Sequence, residues 1–273
     1  MIQPRSIAVA QTCPVKGDVQ ANLAEHLRLT QIAASEGAQI VVFPELSLTG
    51  YELRLASALA FSEDDPRLSP LLEASSAASL TLIVGAPVRL GRRLHIGAFI
   101  VSPDHTLALY TKHYLGAFSA SARCDGTVPP AEETVFQPGD RNPLVRFRGH
   151  VAAVAVCADI GHASHPQQAA ARGARTYLAS MFVIPSEFAG ETTKLRAYAV
   201  QHSMMVALAN YGSPTGGLAS AGRSAIWSET GARLAQLDVC GAGVAVVTAT
   251  PQGWRAKTCM LSNLKTAPAP EQA

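Results

Sequence analysis

Short apolar runs alternate with amphipathic segments along most of the chain. The run at residues 7–11 predicts a first strand. Apolar residues then recur at helical spacing from Val19 to Gly37, with Asp18 as a candidate N-cap and Gly37 placed to end the helix. A further apolar run at residues 40–43 predicts a second strand, which stops before Pro44. The chain therefore begins with alternating strands and helices.

The same alternation continues through the rest of the sequence. Helices are predicted at residues 66–80, 166–172 and 187–202. Strands are predicted at residues 81–86, 94–101, 106–112, 144–148, 150–157, 176–181, 204–209, 222–227, 233–237 and 243–248. Residues 116–131 lack a clear period and are interpreted as a loop, and residues 265–273 as a flexible tail. Because no linker or repeat divides the chain, the pattern predicts a single α/β domain over residues 1–264, with sheets covered by helices.

Composition narrows the class of protein. The chain has 273 residues, of which 48% are apolar and 15% are charged, whereas a typical domain has roughly 25% charged residues. This excludes a disordered chain, and a net charge of +2 excludes the strong basic footprint of a nucleic-acid binder. The apolar runs are far shorter than the roughly 20 residues that span a bilayer, and residues 1–12 lack a secretory signal. We therefore expect a cytoplasmic protein without nucleic-acid or membrane partners.

The cysteines do not form a framework. The chain has 5 cysteines, an odd number, widely scattered and without a C-x-x-C pair. Neither a disulfide scaffold nor a structural zinc cluster fits that pattern. Most free cysteines in a reducing compartment are small buried hydrophobic residues, so any chemistry must be argued from the neighbours of an individual cysteine.

Polar residues stand where several predicted strands end, which is where chemistry collects in α/β folds. Glu45 follows the strand at residues 40–43, Lys112 ends the strand at residues 106–112, and Cys157 ends the very apolar strand at residues 150–157. Each has an ordinary structural alternative: a cap or surface turn for Glu45, a strand-edge lysine for Lys112 and a core cysteine for Cys157. Only a fold that lays these strands side by side could bring the three together.

In this order and context, the residues resemble the motifs of the nitrilase superfamily, the carbon–nitrogen hydrolases. The main matching stretches are Phe43-Pro44-Glu45-Leu46, Thr49-Gly50-Tyr51, Tyr110-Thr111-Lys112 and Val156-Cys157-Ala158-Asp159. Supporting matches are Phe136-Gln137-Pro138-Gly139, Asn210 and Gly222-Arg223-Ser224. The resemblance covers residues 7–247, which is nearly the whole chain.

The resemblance implies a four-layer α-β-β-α sandwich and a catalytic triad of Glu45, Lys112 and Cys157. It also implies a second glutamate four residues before Phe136, which is Glu132, although the adjacent Glu133 stays open as an alternative. Members of this family usually dimerise through helices beside the sheet, so the resemblance implies a homodimer or higher homo-oligomer.

The chemistry of these residue types agrees with that assignment. A thiol near its usual pKa is only slightly ionised at neutral pH, so Cys157 needs a base or a cation to activate it. Glu45 would be the base, and Lys112 with the backbone N–H of Ala158 would stabilise the oxyanion. Glu132 would hold the Lys112 ammonium, since a buried unpaired ammonium is costly. The expected cycle cleaves a small amide through a Cys157 thioester and requires neither a metal nor an organic cofactor.

The residues around the substrate depart from the family pattern. Family amidases often continue Cys-Tyr-Asp-x-Arg-Phe-Pro, whereas this chain reads Cys157-Ala158-Asp159-Ile160-Gly161-His162. Nitrile-hydrolysing members tend to carry Trp-Glu after the cysteine, so Ala158-Asp159 favours an amidase. We expect Tyr51, His162 and Arg223 to contact substrate, with Arg223 either anchoring a substrate carboxylate or simply exposed. Residues 116–131, 164–166 and 182–188 are expected to shape the pocket.

The spacing of Cys157, His162 and His165 also suggests a zinc site. No fourth ligand is apparent, however, and a bound metal would block the thiol that acts as nucleophile. We favour histidines that line or cap the mouth of the site, and an Asp159 that binds the backbone of its turn. Two other functions stay open: nitrile hydrolysis or acyl transfer at the same site, and a non-catalytic ligand-binding member of the fold. The substrate itself, whether an amide, a carbamoyl compound or a nitrile, is left open by the sequence.

Overall fold

The computed structural model describes residues 4–119, 122 and 128–263. The predicted tail at residues 265–273 lies outside that range, as do residues 120, 121 and 123–127 of the predicted loop. In chain order the strands are β1 Ser6–Gln11, β2 Ile40–Val42, β3 Thr81–Leu90, β4 Arg93–Val101, β5 Leu107–Thr111, β6 Val145–Phe147, β7 His150–Val156, β8 Thr176–Ser180, β9 Met205–Ala209, β10 Ala225–Trp227, β11 Arg233–Gln236, β12 Gly243–Thr250 and β13 Gly253–Met260. The α-helices are α1 Val19–Ser35, α2 Ala56–Leu59, α3 Ser69–Ala78, α4 Ser164–Ala171 and α5 Phe188–His202.

These strands form two sheets. A 7-stranded sheet has the order β13-β12-β1-β2-β3-β4-β5, and a 6-stranded sheet has the order β11-β10-β9-β8-β7-β6. The centre of each sheet is parallel, with β1, β2 and β3 in the first and β7, β8 and β9 in the second. The outer strands of both sheets pair antiparallel. Parallel strands end at the same edge of a sheet, so the ends of β2 and β7 are natural places for a site.

Alternation along the strands divides the apolar residues among three buried layers. In β1, Ile7 and Val9 face the core between the two sheets, whereas Ala8 and Ala10 pack on the opposite face. That opposite face of the first sheet is covered by α1 and α3. The outer face of the second sheet is covered by α4 and α5, where Leu195 packs in a third cluster. This confirms the predicted α-β-β-α sandwich, because each sheet is apolar on both faces and needs cover on both.

Local signals placed the first helix correctly. The Asp18 side chain accepts a hydrogen bond of 3.0 Å from the N–H of Ala21, and α1 begins at Val19 as predicted. Gly37 follows the helix with φ of 77°, a left-handed conformation that glycine adopts without strain. Among the described residues, no helix combines the length and hydropathy needed to span a bilayer.

Other elements differ from the sequence prediction. The predicted helix at residues 66–80 is a 3₁₀ turn, Pro66–Leu68, followed by α3, and Ser79 ends it with φ of 52°. The strand predicted from residue 222 begins only at Ala225, since Gly222 and Arg223 both have positive φ. Strand β13 was missed because it is mostly exposed and lacks an alternating pattern. Its pairing along the whole length of β12 makes it a strand.

Candidate active site

Cys157 is the first residue after the buried strand β7 and has a left-handed backbone conformation, with φ of 43°. Such a conformation is uncommon for a residue with a Cβ and must be held by its surroundings. Asp159, two residues later in the 3₁₀ turn Cys157–Gly161, accepts a hydrogen bond of 2.8 Å from the N–H of Val156. The Cys157 thiol donates to the carbonyl oxygen of Phe182 at 3.6 Å. The turn therefore presents the thiol at the end of the strand.

Glu45 lies in the turn after β2, and this turn packs directly on β3. A Cβ at Gly85 of β3 would lie 2.4 Å from the backbone nitrogen of Leu46 and 2.6 Å from the carbonyl oxygen of Pro44. Only glycine allows the turn to approach so closely. On the other side, the Tyr211 hydroxyl donates a hydrogen bond to the backbone carbonyl of Glu45. The backbone that carries the Glu45 carboxylate is thus contacted by β3 on one side and by Tyr211 on the other.

Lys112 directly follows β5, and its backbone is held by two neighbouring segments. Its N–H donates to the carbonyl of Ile96 at 2.9 Å, and its carbonyl accepts from the N–H of Gly139 at 2.7 Å. A Cβ at Gly139 would lie 2.1 Å from Oγ1 of Thr111. The Phe136-Gln137-Pro138-Gly139 motif therefore owes its glycine to a close approach that supports the lysine.

The three elements bring a buried ammonium between two buried carboxylates. Lys112 Nζ donates to Glu45 Oε1 at 2.6 Å and to Glu132 Oε1 at 2.8 Å. Lys112, Glu45 and Glu132 are each only 1% exposed. A buried ion network of this kind is stable only when its members stay paired, because removing one partner leaves an uncompensated charge.

The two adjacent glutamates, Glu132 and Glu133, differ in burial and in their contacts. Glu132 faces inward, whereas Glu133 is exposed to solvent. Besides Lys112, Glu132 accepts hydrogen bonds from the hydroxyl of Tyr51 and from the N–H of Gly116, both at 2.8 Å. Glu132 is therefore the glutamate that holds the lysine, and Tyr51 in turn holds Glu132.

Burial sets the protonation of the site. Burial raises the pKa of Glu45 to about 7, although Lys112 opposes the shift. Burial alone would lower the pKa of Lys112, but Glu45 and Glu132 outweigh it and raise that pKa. The pKa of Cys157 is raised by burial and by Glu45, with Lys112 acting in the opposite direction. The resting site therefore contains a thiol, an ammonium and a carboxyl group that titrates near neutral pH.

One oxygen of Glu45 stays available for proton transfer. Oε2 of Glu45 is buried and makes no hydrogen bond to the described residues, while Oε1 binds Lys112. The Cys157 thiol lies close enough to Glu45 to lower its pKa. An unpaired buried oxygen beside a thiol is suited to accept the thiol proton.

A cavity of about 240 Å³ opens beside the thiol. Its inner end contains Cys157, Ala158, Tyr51 and Glu132. Apolar side chains form most of its wall, and charged side chains of the α5 region stand at its mouth. The other lining residues are Gly116, Ala117, Phe118, Ile160, Gly161, Met181, Phe182, Val183, Glu187, Glu191 and Lys194.

This lining agrees in part with the expected pocket segments. Residues 116–118 and residues 182, 183 and 187 line the cavity, as expected, but residues 164–166 do not. The charged residues at the mouth carried no motif, so sequence reasoning missed Glu191 and Lys194.

Asn210 holds the backbone of Val183, one of the lining residues. Its Oδ1 accepts a hydrogen bond from the N–H of Val183 at 2.9 Å, and its Nδ2 donates to the carbonyl of Val183 at 3.1 Å.

Asp159 binds backbone groups, as predicted, but it also accepts hydrogen bonds from residues outside its own turn. Oδ1 accepts from the N–H groups of His113 and Tyr114, at 3.1 and 3.0 Å. Oδ2 accepts from the hydroxyl of Tyr110 at 2.6 Å, as well as from Val156. One carboxylate thus joins the end of the lysine strand to the end of the cysteine strand, a link that chain spacing does not reveal.

Two expected substrate contacts lie outside the cavity lining. His162 is exposed and stacks on Tyr114, with ring centroids 3.5 Å apart, because its turn directs it away from the thiol. Arg223 is exposed and its guanidinium lies 5.5 Å from the ring centroid of Phe188. Its left-handed backbone, with an N–H bonded to the carbonyl of Asp238, directs it to that surface. Substrate contact by His162 or Arg223 therefore stays a prediction that the cavity lining does not favour.

His165 is not at the mouth of the site, contrary to the expectation. It is buried in α4, with Nδ1 2.8 Å from the hydroxyl of Tyr177 and Nε2 2.9 Å from the hydroxyl of Tyr110. Both ring nitrogens are therefore engaged by tyrosines. Within the part of the chain that the structure describes, no group of three or more His, Cys, Asp or Glu side chains is placed to hold a metal ion.

Comparison with known proteins identifies the family of the chain. A family model described as carbon-nitrogen hydrolase matches residues 6–257. Among solved structures, the chain is similar to the amidase from Nesterenkonia sp. AN1, at 27% identity and a TM-score of 0.78 over 89% of each chain. That structure is of a mutant of the amidase, in which the acetamide moiety of fluoroacetamide is covalently added at the active-site cysteine. A second mutant of the same amidase is in complex with butyramide. This chain is similar to it at 27% identity and a TM-score of 0.78, over 89% of this chain and 90% of the amidase.

Two curated relatives carry different descriptions. A Pseudomonas protegens protein, described as a hydrolase in the pqqF 5' region, is 27% identical over 241 residues, covering 86% of this chain and 79% of that protein. A glutamine-dependent NAD(+) synthetase of Mycobacterium tuberculosis is 27% identical over 252 residues, covering 84% of this chain. The match spans only 36% of the synthetase. The similarity therefore concerns one part of that larger protein.

Proposed function

Because the chain belongs to the carbon–nitrogen hydrolase family, we propose that it hydrolyses the amide bond of a small molecule through an acyl-enzyme on Cys157. The observation that carries this proposal is the placement of Lys112 between Glu45 and Glu132, with Glu45 beside the Cys157 thiol. The similar amidase with an adduct on its active-site cysteine supports the same nucleophile here.

In the first step, Glu45 accepts the proton of the Cys157 thiol as the sulfur attacks the carbonyl carbon of the amide. A base with a pKa of about 7 is matched to this transfer at neutral pH. The carbonyl oxygen becomes an oxyanion, which the ammonium of Lys112 and the N–H of Ala158 stabilise. Loss of one such donor typically lowers the rate by about a hundred- to a thousand-fold.

In the second step, the tetrahedral intermediate breaks its carbon–nitrogen bond. Glu45 returns its proton to the nitrogen, so ammonia or an amine leaves and a thioester remains on Cys157. A water molecule then attacks the thioester carbonyl while Glu45 takes one of its protons. The carbon–sulfur bond breaks, the carboxylic acid is released, and the proton on Glu45 restores the thiol.

Glu132 supports the cycle without taking part in bond making. It holds the Lys112 ammonium at 2.8 Å and is itself held by Tyr51 and Gly116. Glu45 can therefore gain and lose a proton while Lys112 keeps a carboxylate partner. This is the reason we assign the charge-balancing role to Glu132.

Size and chemistry favour a small amide. The cavity of about 240 Å³ is below the roughly 300 Å³ at which pockets for drug-sized ligands begin. Its wall is largely apolar, so a short aliphatic chain fits beside the thiol. Butyramide, which binds to a mutant of the similar amidase, is a suitable first probe.

The test measures ammonia release from acetamide and butyramide together with the intact mass of the enzyme. We expect release that depends on Cys157, and a transient mass increase equal to the acyl group. Cys157→Ala should abolish both, whereas Cys240→Ala, at an exposed cysteine, should change neither. Ammonia release that persists in Cys157→Ala would falsify the proposal. Faster turnover of butyronitrile than of butyramide would instead favour nitrile hydrolysis.

A further inference from the structure

Charged side chains stand at the mouth of the cavity that contains Cys157. Glu187 directly precedes α5, and Glu191 and Lys194 lie in its first turns. All three line the same cavity as the Cys157 thiol. No step of the proposed reaction uses them, which leaves substrate binding as the role to test.

Two of these charges neutralise each other. Lys194 Nζ lies 2.9 Å from Glu191 Oε1 in a helical i,i+3 pair. A substrate carboxylate approaching Lys194 would have to compete with Glu191 for the ammonium. The pair therefore leaves Glu187 as the charge without a partner at this end of the cavity.

The Glu187 carboxylate makes no hydrogen bond or ion pair with the described residues, although its backbone N–H donates to the carbonyl of Ile184. Burial, and secondarily the charge of Glu191, raises the pKa of Glu187, while Lys194 acts in the opposite direction. Glu187 is nevertheless exposed to solvent, so a cation placed next to its unpaired carboxylate should bring a modest gain.

Independent features mark the cavity as a ligand site. The Cys157 thiol lines it, and next to that thiol lies Glu45, 1% exposed, with an Oε2 that makes no hydrogen bond to the described residues. Buried polar groups are normally hydrogen-bonded, so an orphaned oxygen beside the thiol indicates a place where a substrate or water binds. Glu187, which is exposed, and Cys157, which is half-buried, thus line one cavity.

We propose that the cavity selects small amides that carry a positively charged amino group at the end remote from the scissile bond, and that Glu187 recognises this group. The inference rests on the proposed amide hydrolysis and adds the class of substrate. The apolar wall of Ile160, Met181 and Val183 accommodates the methylene chain between the two polar ends.

The first test compares three amides of similar length: 4-aminobutanamide, which is cationic, pentanamide, which is neutral, and succinamate, which is anionic. We expect kcat/KM to fall in that order. The cationic amide should exceed the neutral one by up to about fivefold, the size of effect that one exposed charge pair supplies. Higher salt should reduce the difference.

Variants identify the residue responsible. Glu187→Gln should lower the ratio of kcat/KM for 4-aminobutanamide over pentanamide towards one. Glu73→Gln makes the same change of charge on an exposed position of α3 and should leave that ratio unaltered. Equal turnover of the cationic and neutral amides, or a ratio that Glu187→Gln does not change, would overturn this inference while leaving amide hydrolysis intact.

A second measurement does not depend on hydrolysis. Cationic 2-aminoethyl and anionic 2-sulfonatoethyl methanethiosulfonate each form a mixed disulfide with a thiolate and release methanesulfinate. Peptide mass mapping gives the cation-to-anion rate ratio at Cys157, with exposed Cys240 as the internal reference. We expect Glu187→Gln to lower the ratio at Cys157 and not at Cys240. If no amide is turned over, the proposed function fails. If Glu187→Gln leaves the cation-to-anion rate ratio at Cys157 unchanged, Glu187 does not attract cations, whatever the outcome for amide hydrolysis.

Discussion

The hydroxyl of Tyr110 donates a hydrogen bond of 2.6 Å to Oδ2 of Asp159. Tyr110 lies in β5, two residues before Lys112, and Asp159 lies two residues after Cys157. The contact therefore joins the strand that carries the ammonium to the turn that carries the thiol. Since both residues are buried, this bond helps to hold the two segments together.

Asp159→Asn should destabilise the protein and lower kcat. Both carboxylate oxygens accept two hydrogen bonds, and an amide replaces one of these acceptors by a donor facing other donors. Losing bonds of this charged, buried type should lower the free energy of unfolding by about 2–3 kcal/mol. Urea denaturation measures the change, and Asp140→Asn, at an exposed aspartate, is the control. Equal stability of the two variants would contradict the linking role of Asp159.

Glu132→Gln should lower kcat by about tenfold or more, because the Lys112 ammonium loses a buried carboxylate partner that balances its charge. The adjacent Glu133→Gln changes the same charge at an exposed position and should leave kcat unaltered. Steady-state kinetics with butyramide measures both. A larger loss in Glu133→Gln than in Glu132→Gln would reverse the assignment made from the structure.

Activity should depend on the protonation of Glu45. We expect kcat/KM to fall as the pH drops below about 7, because the protonated carboxyl cannot accept the thiol proton. Stability should move in the opposite direction. Because the pKa of Glu45 rises from 4.5 to about 7 on folding, its contribution to stability is full below pH 4.5 and is lost as the pH rises through about 7.

A pH profile of kcat/KM checks the first part of this expectation, and denaturation of the parent and of Glu45→Gln across the same range checks the second. The variant should lack the loss of stability between pH 4.5 and about 7, since glutamine does not titrate. A kcat/KM that is unchanged across this range would exclude Glu45 as the base.

Gly85→Ala should reduce both stability and activity. The new Cβ would lie 2.4 and 2.6 Å from backbone atoms of the turn that carries Glu45, and backbone atoms yield less readily than a flexible side chain. Overpacking of this kind costs about 1–3 kcal/mol of unfolding free energy. Gly190→Ala is the matched control, because a Cβ there in α5 meets nothing within 4 Å. Thermal unfolding and amide turnover should separate the two variants.

Much of the fold followed from local rules. Asp18 and Gly37 placed both ends of α1, and the apolar runs located most strands, since burial on both faces leaves a continuous apolar signal. Strand β13 did not follow, because its residues are mostly exposed and its structure comes from pairing with β12. Sequence patterns report the burial of a segment, whereas the pairing of an exposed edge depends on its neighbour.

By itself, the sequence determined the α/β alternation and the positions of Glu45, Lys112 and Cys157 at the ends of strands, because each sits in a short motif whose residues are neighbours along the chain. The family resemblance of those motifs implied the four-layer sandwich. The tertiary structure alone decided between Glu132 and Glu133, turned His162 and Arg223 away from the cavity, and placed Glu187 at its mouth. The physical reason is that side-chain direction and burial in a loop depend on contacts with segments distant in the chain. The Glu132 carboxylate that binds Lys112, for example, is oriented by hydrogen bonds from Tyr51 and Gly116, which lie on separate segments of the chain.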